Sequence, residues 1–210
     1  MAILEKLNQD LKDGDVDAVK EGVGTALEEG ITPRKILNKG LLQAMNEIGK
    51  KFSNNEIFVP EVLIAARAMN AGMEKLKPKL IETGVESQGQ IVLGTVAGDL
   101  HDIGKNLVRM MMEGAGFEVR DLGTDVSPEE FVAAIKETEA DILAMSALLT
   151  TTMTNMEEVI EAVKEEGLRD DVYIMIGGAP ITDEFARDIG ADAYAKDAAA
   201  AARKAREVFA

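Results

Sequence analysis

The stretch Ile91-Val92-Leu93-Gly94-Thr95-Val96-Ala97-Gly98-Asp99-Leu100-His101-Asp102-Ile103-Gly104-Lys105 reads as a strand, a polar turn and the start of a helix. Ile91–Val96 is an apolar run, as expected of a strand buried on both faces of a parallel sheet. The helix extends from about Ile103 to Glu113 and gives way to Gly114-Ala115-Gly116. The same unit recurs four times downstream. Phe117–Leu122 precedes a helix opened by Ser127-Pro128-Glu129-Glu130, where Ser127 and Glu130 have capping-box spacing. Asp141–Ser146 precedes a helix at about 153–166, Val172–Ile176 one at about 182–189, and Ala193–Tyr194 one at about 197–209. Five strand–helix units in succession imply an α/β fold: a five-stranded parallel, doubly wound sheet of the flavodoxin/Rossmann-like kind. With strand order 2-1-3-4-5, a ligand binds beyond the carboxyl ends of the strands, between strands one and three.

Upstream the pattern is different. Leu4, Leu7 and Leu11 repeat at helical spacing and stop at Asp13-Gly14-Asp15. A second helix runs from about Val16 to Glu29 and ends at Gly30. Thr32-Pro33 has the form of an N-cap followed by proline at the first helical position. The third helix carries Ile36, Leu37, Leu41, Leu42, Met45 and Ile48 on one side. After Ser53-Asn54-Asn55, a fourth starts near Pro60 and carries Val62, Leu63, Ala66, Met69, Met73 and Leu76. Residues 1–84 are therefore expected to form a four-helix bundle. Residues 82–90 are polar, contain two glycines and lack periodicity, so they read as a linker to an α/β domain at 90–210.

Composition narrows the chemistry. The 210 residues are 46% hydrophobic and 29% charged, and 38 acidic against 23 basic side chains leave a net charge of −15. Such a surface repels phosphate backbones and anionic membranes, so neither nucleic acid nor membrane is an expected partner. The absence of cysteine excludes thiolate nucleophiles, disulfides, iron–sulfur clusters and cysteine zinc sites. With a single histidine, all imidazole chemistry falls to His101. No apolar run is long enough for a membrane span, and the start lacks the pattern of a secretory signal, so a cytoplasmic location is expected.

That histidine lies in the turn after strand one, where the fold places a ligand. Asp99 stands two residues before it and is the natural hydrogen-bond partner for its second ring nitrogen. Gly98 and Gly104 bracket the turn and permit close backbone approach to a bulky ligand. After strand three comes Ser146-Ala147-Leu148-Leu149-Thr150-Thr151-Thr152, rich in hydroxyls. Strand four ends in Gly177-Gly178-Ala179-Pro180. Taken singly, each has a plainer reading. A lone loop histidine is usually solvated or capping, paired glycines make turns, and a Ser/Thr run caps a helix. Together they suggest a slot with small walls, hydroxyl donors and one metal-capable imidazole at its mouth.

The combination Asp99-Leu100-His101-Asp102-Ile103-Gly104, Ser146-Ala147-Leu148 and Gly177-Gly178 resembles the fingerprint of corrinoid-binding domains. The likeness extends over nearly the whole chain, helical region included. It is to the corrinoid proteins of methanogens and acetogens that serve methanol, methylamine, betaine or methoxyaromatic methyltransferases, and to the cobalamin-binding region of cobalamin-dependent methionine synthase. The resemblance implies a cobalamin-type corrinoid bound base-off, with His101 as lower axial cobalt ligand. It makes Asp99 and then Thr152 the relay behind the ligand, although methionine synthase has serine where this chain has Thr152. It implies cofactor contacts from Gly98, Asp99, Leu100, His101, Asp102, Ile103 and Gly104. Ser146, Leu148 and Thr150 would line the tail pocket, with Gly177, Gly178 and Ala179 leaving room for the tail base and Ala198 closing it. Phe52 and Val59, in a stretch matching the family's cap segment (51–62), would cover the upper face.

By the same resemblance the chain is a methyl carrier and not an enzyme on its own. A substrate-specific methyltransferase would methylate its cob(I)amide. A second methyltransferase, using tetrahydrofolate or coenzyme M, would take the methyl group, and a reductive-activation protein would rescue oxidised cobalt. The competing expectations are the corrinoid subunit of an adenosylcobalamin-dependent mutase and a corrinoid-dependent sensor. The helical half weighs against the first. The acidic charge and the lack of a basic helix-turn-helix weigh against the second. A hydrolase lacks a Gly-x-Ser-x-Gly elbow, and a phospho-receiver would need an aspartate where Met145 and Ser146 stand.

Overall fold

Where apolar side chains recur every three or four residues, the chain is helical; where they run continuously, it forms a parallel sheet. The computed structural model describes residues 2–84 and 87–209. Two units form, Met1–Ser87 with Glu113–Gly116, and Gln88–Met112 with Phe117–Ala210. Of the linker expected at 82–90, Val85 and Glu86 lie outside the described residues.

In the first unit, α1 (Ala2–Lys12) buries Leu4, Leu7 and Leu11. Helix α2 (Val16–Glu28) is capped by Asp15, whose carboxylate accepts the Ala18 N–H at 2.9 Å. It packs on α5 (Val59–Glu82) through Val19, Val23 and Ala26. The third helix differs from the sequence expectation. Thr32 sits at its N-cap, but the hydroxyl makes no capping bond. After α3 (Pro33–Lys35) the backbone widens into a π-helix over Ile36–Leu42 before continuing as α4 (Gln43–Ser53). Ile36 and Leu41, five apart, are both fully buried, a spacing that an α-turn would splay and a π-turn brings together. Gly40 faces α1 there. An added Cβ would lie 2.6 Å from Leu7 Cδ2, so a larger residue would make the Leu7 side chain shift. At the start of α5, Glu61 accepts the Phe58 N–H at 3.3 Å. That is half of a capping box, since a phenyl ring cannot supply the other half.

In the second unit the sheet order is β2-β1-β3-β4-β5, all parallel. The strands are β1 (Gln90–Thr95), β2 (Glu118–Asp121), β3 (Ile142–Ser146), β4 (Tyr173–Gly177) and β5 (Ala193–Ala195). Helices α6 (Ile103–Glu113), α7 (Pro128–Thr138), α8 (Asn155–Glu165), α9 (Asp183–Ile189) and α10 (Ala198–Val208) follow in turn. The alternating order and the strand sequence are those expected. Helix α7 opens with a complete capping box: Ser127 Oγ accepts the Glu130 N–H, and Glu130 accepts the Ser127 N–H. One core contains Val92, Leu143, Ile174, Phe131 and Ile160, all fully buried. Each such side chain contributes roughly 1.5–3 kcal/mol. Phe131 lies against Gly94, where a Cβ would sit 2.7 Å from the ring, so a glycine inside β1 lets α7 pack closely on the strand.

A histidine–carboxylate site at the switch point

Strand order reverses between β1 and β3, and the segment leaving β1 carries His101. Residues 97–102 form no regular structure, and α6 begins at Ile103. Asp99 is fully buried, while the His101 side chain is 52% exposed. The carboxylate is the hub. Its Oδ1 accepts the His101 backbone N–H at 3.0 Å and lies 2.7 Å from His101 Nδ1. Its Oδ2 accepts the Leu148 N–H at 2.8 Å and the Thr152 hydroxyl at 2.7 Å. The Thr152 hydroxyl also lies 3.1 Å from the Leu149 carbonyl. The shorter, charge-assisted bond to Asp99 dominates.

Burial pushes the Asp99 carboxyl up. The donors of Thr152, Leu148 and His101 outweigh that burial and hold it well below the usual carboxylate range. At neutral pH it is therefore an ion with no proton to donate, so the proton in the contact to His101 belongs to Nδ1. The Nε2 lone pair is left for a metal, the arrangement by which an outer carboxylate sets tautomer and ring direction.

The ring stands among apolar side chains left in the open. Leu100 is 74% exposed, Ile103 78% and Leu148 42%. A Cβ added at Gly104 would meet nothing within 4 Å. Among the described residues, no group of three or more His, Cys, Asp or Glu side chains could hold a metal ion. One imidazole amid exposed leucines and isoleucine suits a metal whose other positions a broad, largely apolar chelator fills.

The remaining candidate residues fall as follows. Gly98 has a left-handed backbone, φ 75°. Asp102 is exposed, and its carboxylate accepts the Asn106 side-chain amide at 3.1 Å. Ser146 pairs with Gly177 in the β3–β4 register, which puts both at the carboxyl edge of the sheet. Gly178 has φ 133°, and a Cβ there would lie 1.8 Å from the Ala147 carbonyl oxygen, so the two loops touch backbone to backbone. Thr150 and Ala179 are exposed, and Ala198 is buried at the start of α10, behind the Asp197 cap. Phe52 and Val59 belong to the helical unit, one near the end of α4 and one at the first residue of α5, both half-buried.

Two further groups support the site. Thr95, fully buried at the end of β1, donates its hydroxyl to the His101 carbonyl at 2.9 Å. As the one hydroxyl in an otherwise apolar strand, it was visible in the sequence. Lys105, 2% exposed, donates to both oxygens of Asp121 at 2.6 Å, and Asp121 in turn accepts the Gly123 N–H. This buried ion pair ties the first turn of α6 to the end of β2. Its only sequence signal is a lysine one turn into an amphipathic helix.

Fold and site define a doubly wound ligand-binding protein with one carboxylate-oriented imidazole at its switch point. Two family models described as B12 binding domain match, one over residues 89–203 and one over residues 3–77. The chain belongs to the family of B12-binding corrinoid proteins. A dimethylamine corrinoid protein of Methanosarcina acetivorans is 47% identical over 98% of this chain and 99% of its own length. A cobalamin-binding protein of Desulfitobacterium hafniense superposes with a TM-score of 0.82 at 35% identity, over 98% of each chain. A structure of the methanol:cobalamin methyltransferase complex of Methanosarcina barkeri matches with a TM-score of 0.88 at 30% identity, covering 99% of this chain and 80% of that one.

Proposed function

We propose that this chain is the corrinoid-carrying subunit of a methyltransferase system, passing a methyl group between two partner enzymes. The observation that carries the reading is the 2.7 Å contact from Asp99 Oδ1 to His101 Nδ1, which leaves Nε2 of the only histidine unengaged at the switch point. When bound, a corrinoid supplies a cobalt centre that takes a methyl group from one donor and yields it to another acceptor.

The chain's own residues do the rest. His101 would hold the cobalt through Nε2, in place of the cofactor's own base. Asp99 and Thr152 fix its direction and strengthen its donation to the metal. Leu100, Ile103 and Leu148 exclude water from the ligand's surroundings. Ser146, Thr150, Gly177, Gly178, Ala179 and Ala198 take the displaced nucleotide tail, with Gly98, Asp102 and Gly104 at its entrance. The relatives are named for different methyl sources, dimethylamine and methanol, which supports placing the choice of donor in the partner methyltransferase. A second methyltransferase, acting on tetrahydrofolate or coenzyme M, takes the methyl group off. A reductive-activation protein restores oxidised cobalt, since the chain has no cysteine or other redox side-chain pair. No helix among the described residues is long and apolar enough to cross a membrane, and we place this chemistry in the cytoplasm.

The test is anaerobic reconstitution with hydroxocobalamin, reduction to the cobalt(II) state and electron paramagnetic resonance, using protein made with nitrogen-15 histidine. Nitrogen superhyperfine splitting that changes with the label is the expected result. Retention of the corrinoid with splitting indifferent to the label would remove His101 as ligand, and failure to retain it would remove the carrier role.

A further inference from the structure

The backbone that carries the carboxylate behind His101 is itself held by another residue, Asp125. Asp125 lies in the loop between β2 and α7, far from the Asp-x-His-x-x-Gly segment in sequence. Strand β1 pairs with β2 in even register up to Leu93↔Asp121. Beyond it, the next bridge is Val96↔Val126, so the pairing slips by two residues and the chain bulges out at Thr124 and Asp125. Asp125 there adopts φ 57°, a left-handed conformation disfavoured for L residues but tolerated best by Asp and Asn.

That conformation has a visible use. The Asp125 backbone N–H is donated to the Asp99 carbonyl at 3.0 Å. Its Oδ1 accepts the Gly98 N–H at 2.7 Å. Its carboxylate thereby holds the Ala97–Gly98 peptide by the N–H, and its own N–H holds the Asp99–Leu100 peptide by the carbonyl, so one residue grips the chain on both sides of the Gly98–Asp99 peptide, whose own N–H goes to the Val96 carbonyl at 3.1 Å. A second hold comes from Asn155, whose side-chain amide is donated to the Ala97 carbonyl at 2.7 Å. Turning either flanking peptide would swing the Asp99 carboxylate away from Thr152, Leu148 and the His101 ring together, because all of those bonds leave the same side chain.

We infer that Asp125 is a positioning residue for His101: it clamps the two peptides that flank Gly98–Asp99 and so sets the direction in which the imidazole Nε2 points. Its place in a methyl carrier rests on the reading of His101 as cobalt ligand, but the clamp acts on the imidazole whether or not a metal is present. The informative variant is Asp125→Gly, which keeps a left-handed backbone and its N–H and loses only the carboxylate. Asp125→Asn is the conservative partner, since its amide oxygen still accepts from Gly98.

The experiment uses full-length protein with nitrogen-15 histidine. Because His101 is the only histidine, its ring gives a single pair of nitrogen resonances. In wild-type protein without cofactor, the two nitrogens are expected to be distinct, Nδ1 protonated and Nε2 bare. In Asp125→Gly the two should move toward each other as the other tautomer is admitted, with the thermal midpoint little changed, and Asp125→Asn should restore the separation. Asp125→Ser, whose hydroxyl is too short for the same reach, is the second variant if glycine loosens the turn. After reconstitution, Asp125→Gly should retain hydroxocobalamin about tenfold less tightly, the scale of losses behind a metal ligand. Ring resonances identical to wild type in folded Asp125→Gly and Asp125→Ser would overturn the inference. Label-independent splitting in the wild-type holoprotein would instead sink the ligand role of His101, leaving the ring resonances to judge the clamp.

Discussion

Thr152 and Asp99, fifty-three residues apart, meet through a 2.7 Å hydrogen bond in which the threonine hydroxyl donates to a fully buried carboxylate oxygen. The bond closes a relay from the helix side of the site through Asp99 to the His101 ring. The bond requires a hydroxyl donor, which threonine supplies here as a serine would.

Thr152→Val keeps the shape and removes the donor, leaving Asp99 Oδ2 with the Leu148 N–H alone. A loss of about 1–3 kcal/mol in unfolding free energy is expected, because a buried charge is left short of a partner. Thr152→Ser should lose much less. Urea unfolding of the cofactor-free protein measures both, and equal losses would mean that the threonine methyl, not its hydroxyl, matters.

Acid should loosen the α/β unit through Asp99. Its folded carboxyl titrates below the ordinary range, so its contribution is present above about pH 4 and is lost as pH falls below that. Asp99→Asn should be less stable than wild type at pH 7 and show a shallower decline in urea midpoint from pH 4 downward. Parallel curves for the two proteins would assign the acid sensitivity to other carboxylates.

His101→Ala should leave the fold nearly as stable as wild type, within about 0.5 kcal/mol, since half of the side chain is in solvent and its partners keep other donors. The same variant, reconstituted with hydroxocobalamin, should lose the label-sensitive splitting. Added imidazole should restore nitrogen splitting that no longer depends on labelled histidine. Nitrogen splitting in His101→Ala matching that of wild type, without added imidazole, would contradict ligation by the only histidine.

Gly178→Ala should be among the most damaging single changes in the chain. Its Cβ would come within 1.8 Å of the Ala147 carbonyl oxygen, backbone that cannot rotate away, at a φ that L residues rarely adopt. A loss of more than about 3 kcal/mol, or failure to fold, is expected. Gly104→Ala, with open space around the added Cβ, is the control and should fold as wild type. A well-folded Gly178→Ala would mean that the β3 and β4 loops separate at little cost.

Much of this was legible before any coordinates. Five strand–helix units, the capping box at Ser127 and Glu130 and the position of His101 at the carboxyl end of β1 all follow from local periodicity and turn chemistry, while the sheet order was taken from the doubly wound fold those units imply. Those signals act over a few residues, so a single sequence carries them. The same local rules failed at Ile36–Leu42, where side-chain spacing implied an unbroken α-helix. Within that turn Gly40 packs against Leu7 on another helix, a contact that periodicity within the segment does not record.

What the sequence determined by itself was the set of chemical parts: one histidine, a carboxylate two residues before it, small residues on three loops and no thiol. Only the tertiary structure decided how they are wired. The Leu148 N–H, forty-nine residues from Asp99, is a backbone donor that no residue type announces. The Asp125 clamp depends on a two-residue slip between β1 and β2, and Thr95 reaches the His101 carbonyl only because the turn doubles back on its strand. These are hydrogen bonds between distant segments, set by angles and distances within a few tenths of an ångström. The sheet imposes them when it assembles, and the linear chain states only which groups are present to make them.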